Sequence, residues 1–136
     1  MPVVDANVAL AWAVPSSRTQ SALHVLESPG DIIAPTLLVH EVANAVWLMI
    51  NQQLIAPDEG EAIRAEAIAP VRILESDRVL AWRALQIAAE LRHPAYDAFY
   101  LAVAEAESMP FITGDRRLIA RAAGSPYASM IRELGG

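Results

Sequence analysis

The chain alternates short runs of consecutive apolar residues with longer stretches whose apolar positions recur every three or four residues. The runs "PVVD" at 2–5, "DIIAP" at 31–35, "VRILE" at 71–75 and "FIT" at 111–113 read as buried strands, and "YASMI" at 127–131 offers a weaker fifth. Helical periodicity covers 17–28, 37–53, 58–69, 77–92, 96–108 and 115–123, with a short helical turn after Asn7, and "SPG" and "GSP" mark turns between elements. Strands that alternate with helices build a parallel sheet with its crossovers packed on it. The expected fold is α/β, a three-layer α-β-α arrangement around a central, mostly parallel sheet of four to five strands. No repeat, low-complexity tract or linker interrupts the pattern, so residues 1–136 read as a single domain.

Composition narrows the chemistry. At 136 residues and 54% apolar content the chain can bury a real core. It has no cysteine, which excludes disulfides, thiolate zinc sites and a thiol nucleophile, and suits a reducing cytosol. His24, His40 and His93 show no ligand spacing. The N-terminus lacks a basic leader, Asp5 and Asn7 break its first apolar run, and no segment has the roughly 18 apolar residues of a membrane span, so a soluble cytoplasmic protein is expected. All ten basic residues are arginine, which suits bidentate phosphate recognition, although with so much alanine a genomic codon bias explains it more simply. A net charge of −6 argues against a plain basic platform for nucleic acid, except where several of the acids are engaged with cations.

Four carboxylates hold most of the functional information. Asp5 follows "VV" and Asp115 follows "FITG", so parallel strands would bring both to the carboxyl edge of the sheet, where α/β folds place their sites. Each also has an ordinary explanation as the N-cap of the helix that follows. Asp97, in "AYDAFYLAVAEAE", lies in a first helical turn just after Pro94, where an acid meets unpaired N–H groups and the positive end of the helix dipole. Capping cannot explain Glu41. It lies inside "TLLVHEVANAVWLMI" on one stripe with Leu37, Leu38, Ala45 and Leu48, so its carboxylate needs a partner, either an arginine or a cation. Joined at one edge, the four would repel one another and so either take up protons in part or hold a divalent ion. All-oxygen ligation selects Mg²⁺, with Mn²⁺ as a substitute, and the chemistry such ions support is phosphoryl transfer.

The ordered set "VVDANVALAW", "APTLLVHEVANAV", "AYDAFYLAVAE" and "FITGDRRL", spanning about residues 2–122, resembles the PIN-domain ribonucleases, in particular the VapC-like toxins of prokaryotic toxin–antitoxin pairs. The resemblance implies a PIN-like fold and an endoribonuclease whose metal-binding and catalytic acids are Asp5, Glu41, Asp97 and Asp115. Asn7 and Thr113 match positions where that family places small polar residues that assist the metal or its waters. It further implies hydrolysis of RNA phosphodiesters to a 5′-phosphate and a 3′-hydroxyl. Asp5 and Asp97 would bind the main ion, and Asp115 and Glu41 would complete the site or hold a second. Partners follow as well: a small antitoxin blocking the acidic groove, and a homodimer for which helix 37–50 and its successor are either the face or simply core. Gly114, where the family more often has Ala or Thr, and Pro94, where it often has Ser, depart from the pattern without removing a ligand.

Other residues have two readings. Arg116 and Arg117 follow Asp115 and either contact RNA phosphate or belong to a solvated helix face. Trp12, Trp47 and Trp82 could stack on bases, but each sits in a helical apolar pattern that favours core packing. Glu105 and Glu107 read as surface acids. A haloacid-dehalogenase-type phosphatase or a receiver domain also begins with an acid after the first strand. Asn at position 7 and the absence of lysine speak against the first, and the missing lysine against the second. The rival from another class is a non-catalytic PIN-like module that binds RNA or protein, which a broken acidic set would favour.

Overall fold

The strands are short and apolar because most of them are buried on both faces. In the computed structural model, which describes residues 1–135, they are β1 (Val3–Val4), β2 (Ile32–Pro35), β3 (Val71–Leu74), β4 (Phe111–Thr113) and β5 (Ile131–Glu133). They form one sheet in the order β3-β2-β1-β4-β5, and every neighbouring pair is parallel. Val3 lies opposite Ile33 on one side and Phe111 on the other. Val3 and Val4 point to opposite faces and neither has any solvent exposure, so helices cover the sheet on both sides.

The helices are α1 (Ala6–Ala13), α2 (Thr19–Glu27), α3 (Leu37–Asn51), α4 (Pro57–Ile68), α5 (Arg78–Leu91), α6 (Ala95–Glu107) and α7 (Arg116–Ala122). They pack in two groups, α1 with α2, α3 and α4, and α5 with α6, whose inner side lies on β1, β2 and β4. Among the described residues no helix is long and apolar enough to cross a membrane. From β1 the chain winds outward to β2 and β3, then returns past β1 to β4 and β5. The order therefore reverses between β1 and β4, and the crevice beyond their carboxyl ends is where such folds bind ligands.

Three expectations need correction. The fifth strand lies at Ile131–Glu133 rather than 127–131, because Tyr127 to Met130 close a 3₁₀ turn after "GSP". Its apolar run is not the strand: β5 is an edge strand whose Arg132 and Glu133 face solvent. The turn after Asn7 is an eight-residue helix that starts at Ala6, capped by Asp5. Of the tryptophans only Trp12 is packed inward, its indole N–H donating to the Ala67 carbonyl at 3.1 Å. Trp47 and Trp82 are 55% and 61% exposed. α3 buries Leu38, Val42 and Val46, and α5 buries Ala84, Ile87, Ala88 and Leu91, so both indoles fall outside the inward stripes of their helices.

Candidate active site

Asp5 leaves β1 with an extended backbone and caps α1, where its Oδ1 accepts from the Val8 N–H at 3.1 Å. Its Oδ2 accepts from the Thr113 hydroxyl at 2.5 Å, and that hydroxyl oxygen in turn accepts from the Asp115 N–H at 3.1 Å. Thr113, fully buried at the end of β4, thus ties the acid after one strand to the acid after its neighbour. Asp115 caps α7, accepting from the Arg117 and Leu118 N–H groups at 3.0 and 3.2 Å. Both bonds fall on Oδ1.

Asp97 enters from α6 and Glu41 from α3. His93 Nε2 lies 2.5 Å from Asp97 Oδ2, four residues along and across the Pro94 start of the helix. The Tyr100 hydroxyl donates to Glu41 Oε1, while its ring, wholly buried, stacks on Phe111 at 5.4 Å. The fold answers the question posed by Glu41 with a neutral phenol. The arginine ion pairs among the described residues join Arg64 to Glu61, Arg72 to Asp31, Arg83 to Glu105, and Arg116 to Glu133, so arginine neutralises none of the four acids. Glu105, expected as a plain surface acid, is held by the Arg83 fork.

Burial leaves its mark on ionisation. Asp5, only 7% exposed, is pushed up from 3.8 to about 6, chiefly by desolvation and further by Asp97 and Glu41, against the hydrogen bonds from Thr113 and Val8. Desolvation also raises Glu41, opposed by the Tyr100 hydroxyl, and Asp97, opposed by His93 and reinforced by Asp115. Tyr100 is pushed up by burial and by Glu41, so it stays a neutral donor. Asp5, Glu41 and Asp97, whose ionisation is disfavoured by burial and by neighbouring acids, form with Asp115 a set of oxygen donors that fits a hard divalent cation.

All four acids line one cavity of about 460 Å³, beside Asn7, His40, Asn44 and Tyr96 and above the apolar side chains of Leu10, Leu37 and Leu48. The stripe Leu37, Glu41, Ala45, Leu48 belongs to this cavity wall, and of the residues expected on that stripe only Leu38 joins the core. Among the described residues the group whose potential ligand atoms all lie within 4.8 Å of one another is His93, Asp97 and Asp115, and Asp5 and Glu41 stand outside it. Sequence reasoning passed over His93. Its signal was an i, i+4 pair with Asp97, hidden because Pro94 falls between them. Arg116 reaches Glu133 at 3.5 Å, and Arg117 borders a separate depression with Arg92 and His93, so neither lines the carboxylate cavity.

The PIN domain pattern matches residues 3–124. A curated relative, "Ribonuclease VapC3" of Pyrobaculum aerophilum, is 29% identical over 118 residues, covering 85% of this chain and 90% of its own. Among solved structures, a Pyrobaculum aerophilum protein superposes with a TM-score of 0.71 at 23% identity, covering 97% of this chain and 82% of that one. A toxin–antitoxin complex from Klebsiella pneumoniae superposes at 0.72 with 18% identity, covering 97% and 96%. With a match over nearly the whole chain, the protein belongs to the PIN-domain family.

Proposed function

We propose that this protein is a Mg²⁺- or Mn²⁺-dependent endoribonuclease and the toxin of a toxin–antitoxin pair. The observation that carries the reading is the convergence of Asp5, Glu41, Asp97 and Asp115 on one cavity at the switch point of the sheet, with no arginine paired to any of them. The names of its VapC and toxin–antitoxin relatives point the same way.

In this reading Asp5 and Asp97 hold the principal cation, with Asp115 and Glu41 completing the site. When bound, the cation lowers the pKa of a water and neutralises charge on the leaving oxygen of the phosphodiester. The chain's own work is positioning. Thr113 fixes the spacing of Asp5 and Asp115, His93 orients Asp97, and Tyr100 orients Glu41, so the acids are placed before any ligand arrives. Asn7 stands at the mouth with its side chain unburied, suited to a water or a phosphate oxygen. An antitoxin and a second copy of the chain are the expected protein partners, and the outward Trp47 and Trp82 supply apolar surface of the kind partners cover.

The test is cleavage of mixed structured RNAs with Mg²⁺ or Mn²⁺ by the unaltered protein and by Asp97→Asn prepared identically. Metal-dependent cleavage that disappears in the variant is expected. Equal cleavage by both, or melting indifferent to millimolar Mn²⁺ and to chelator, overturns the reading.

A further inference from the structure

We infer that Arg18, seated on Gly114, forms a phosphate subsite for the RNA strand beside the carboxylate cavity. The inference rests on the ribonuclease reading and adds to it a residue outside the acidic set. Arg18 stands just before α2, and its Nη2 donates to the Gly114 carbonyl at 3.2 Å. Gly114 links Thr113 to Asp115, so the guanidinium lies against the backbone that carries one of the four acids.

The absence of a side chain at position 114 now has a physical reason. Gly114 is not among the residues with positive φ, so torsion does not demand glycine there. What glycine leaves open is the seat: a Cβ there would stand 1.9 Å from Arg18 Nη1 and 2.7 Å from Cζ, the far end of a flexible side chain, so a larger residue would push the guanidinium aside. The departure from the family pattern at 114 and the arginine at 18 are therefore one feature, a seat and its occupant.

The charge in that seat is unspent. Arg83 and Arg64 each fork onto a carboxylate. Arg18, half-buried, makes one bond to a carbonyl and, among the described residues, no ion pair, which leaves most of its five donors available. It borders a furrow of about 440 Å³ with Asn7, Leu10, Ala45 and Met49. Asn7, Leu10 and Ala45 also wall the carboxylate cavity, so the two hollows adjoin, and Arg18 is the one arginine lining them among the described residues. A strand laid along this trough would set one phosphate over the acids and carry a neighbouring one to a guanidinium whose planar fork matches its oxygens.

The experiment uses Arg18→Ala, Gly114→Ala, which evicts the guanidinium without touching any acid, and both together, with Arg117→Ala as a control outside the trough. On a single-stranded RNA the unaltered protein cleaves, each variant should raise KM roughly tenfold, the scale of one lost charged hydrogen-bonded contact, with little change in kcat. The melting shift produced by Mn²⁺ should stay as it was. The double variant should be no worse than either single one, because both remove the same contact. Binding measured in an Asp97→Asn background against salt should show a slope shallower by about 0.7, as for one phosphate contact on a single strand. Arg18→Ala only deletes atoms and carries the test if Gly114→Ala does not fold. Unchanged KM and salt slope in a protein that still cuts RNA would refute the subsite and leave the nuclease standing. An unaltered protein that neither binds nor cuts RNA in the presence of metal overturns both.

Discussion

The metal-free protein should be made more stable by losing one of its own site acids. Burial lifts Asp5 from 3.8 to about 6, roughly two pKa units, which makes its ionised carboxylate a burden of about 3 kcal/mol on the fold near pH 8. The sign follows from the direction of the shift. Because the folded state holds the proton more tightly than the unfolded one, stability declines as pH rises from about 4 to 6 and levels off above. Asp5→Asn is neutral throughout. Its amide oxygen still accepts from the Val8 N–H, but its NH₂ must donate to Thr113 Oγ1, and the displaced hydroxyl proton loses its acceptor, a cost of about 1 kcal/mol. The variant should therefore exceed the parent by about 2 kcal/mol in chelator at pH 8, about 7 °C in Tm for a chain of this size, and lose that advantage near pH 4. Millimolar Mn²⁺ should reverse the order, raising the parent and leaving the variant nearly unmoved. Urea denaturation at both pH values, with and without metal, measures all of this. An Asp5→Asn protein less stable than its parent in chelator at pH 8, or a difference independent of pH, would show that Asp5 is an ordinary cap.

Three further outcomes are expected. Tyr100→Phe keeps the ring on Phe111 but removes the hydroxyl that holds Glu41 down, so it should cost about 1 kcal/mol. By letting the Glu41 pKa rise further, it should also weaken Mn²⁺ binding more at pH 6 than at pH 8 in calorimetric titration. Gly60→Ala drives a Cβ to 2.7 Å from Ile50 Cδ1 and 3.0 Å from Val46 Cγ1, wedging α4 from α3, and should destabilise by about 1 kcal/mol after the gain in helix propensity. Trp82→Ser should stay within about 0.5 kcal/mol of the parent, whereas Trp12→Phe, which loses the bond to Ala67, should cost about 1 kcal/mol in the same denaturation assay.

Much of the fold is legible in the sequence because hydrophobic period depends on burial, and burial is nearly complete where the reading worked. β1, β2 and β4 are continuous apolar runs because both their faces are covered. It failed where burial is one-sided or absent: β5 exposes Arg132 and Glu133, and the apolar residues before it serve a turn. The tryptophans mislead for a related reason. Trp47 lies one residue past Val46, about 100° around the helix, and its size dominates an apolar count while its position decides its exposure.

Sequence reasoning set the cap and ligand readings of the acids against each other, and the geometry removes that opposition. Asp115 caps α7 through Oδ1 alone, while Asp5 meets its cap donor with one oxygen and Thr113 with the other, each oxygen keeping a second lone pair. The positive end of a helix lowers the cost of placing an anion there, and the carboxyl edge of a parallel sheet is where strands hand over to helices. One position thus satisfies both demands, so a cap signature after a buried strand is compatible with a site. What discriminates is the company: Glu41, with no cap to serve and a phenol where an arginine would be expected, distinguishes this cluster from a set of well-started helices. His93 lay beyond that logic because its value comes from Asp97 and Asp115 meeting across the fold, a juxtaposition that depends on β4 pairing with β1.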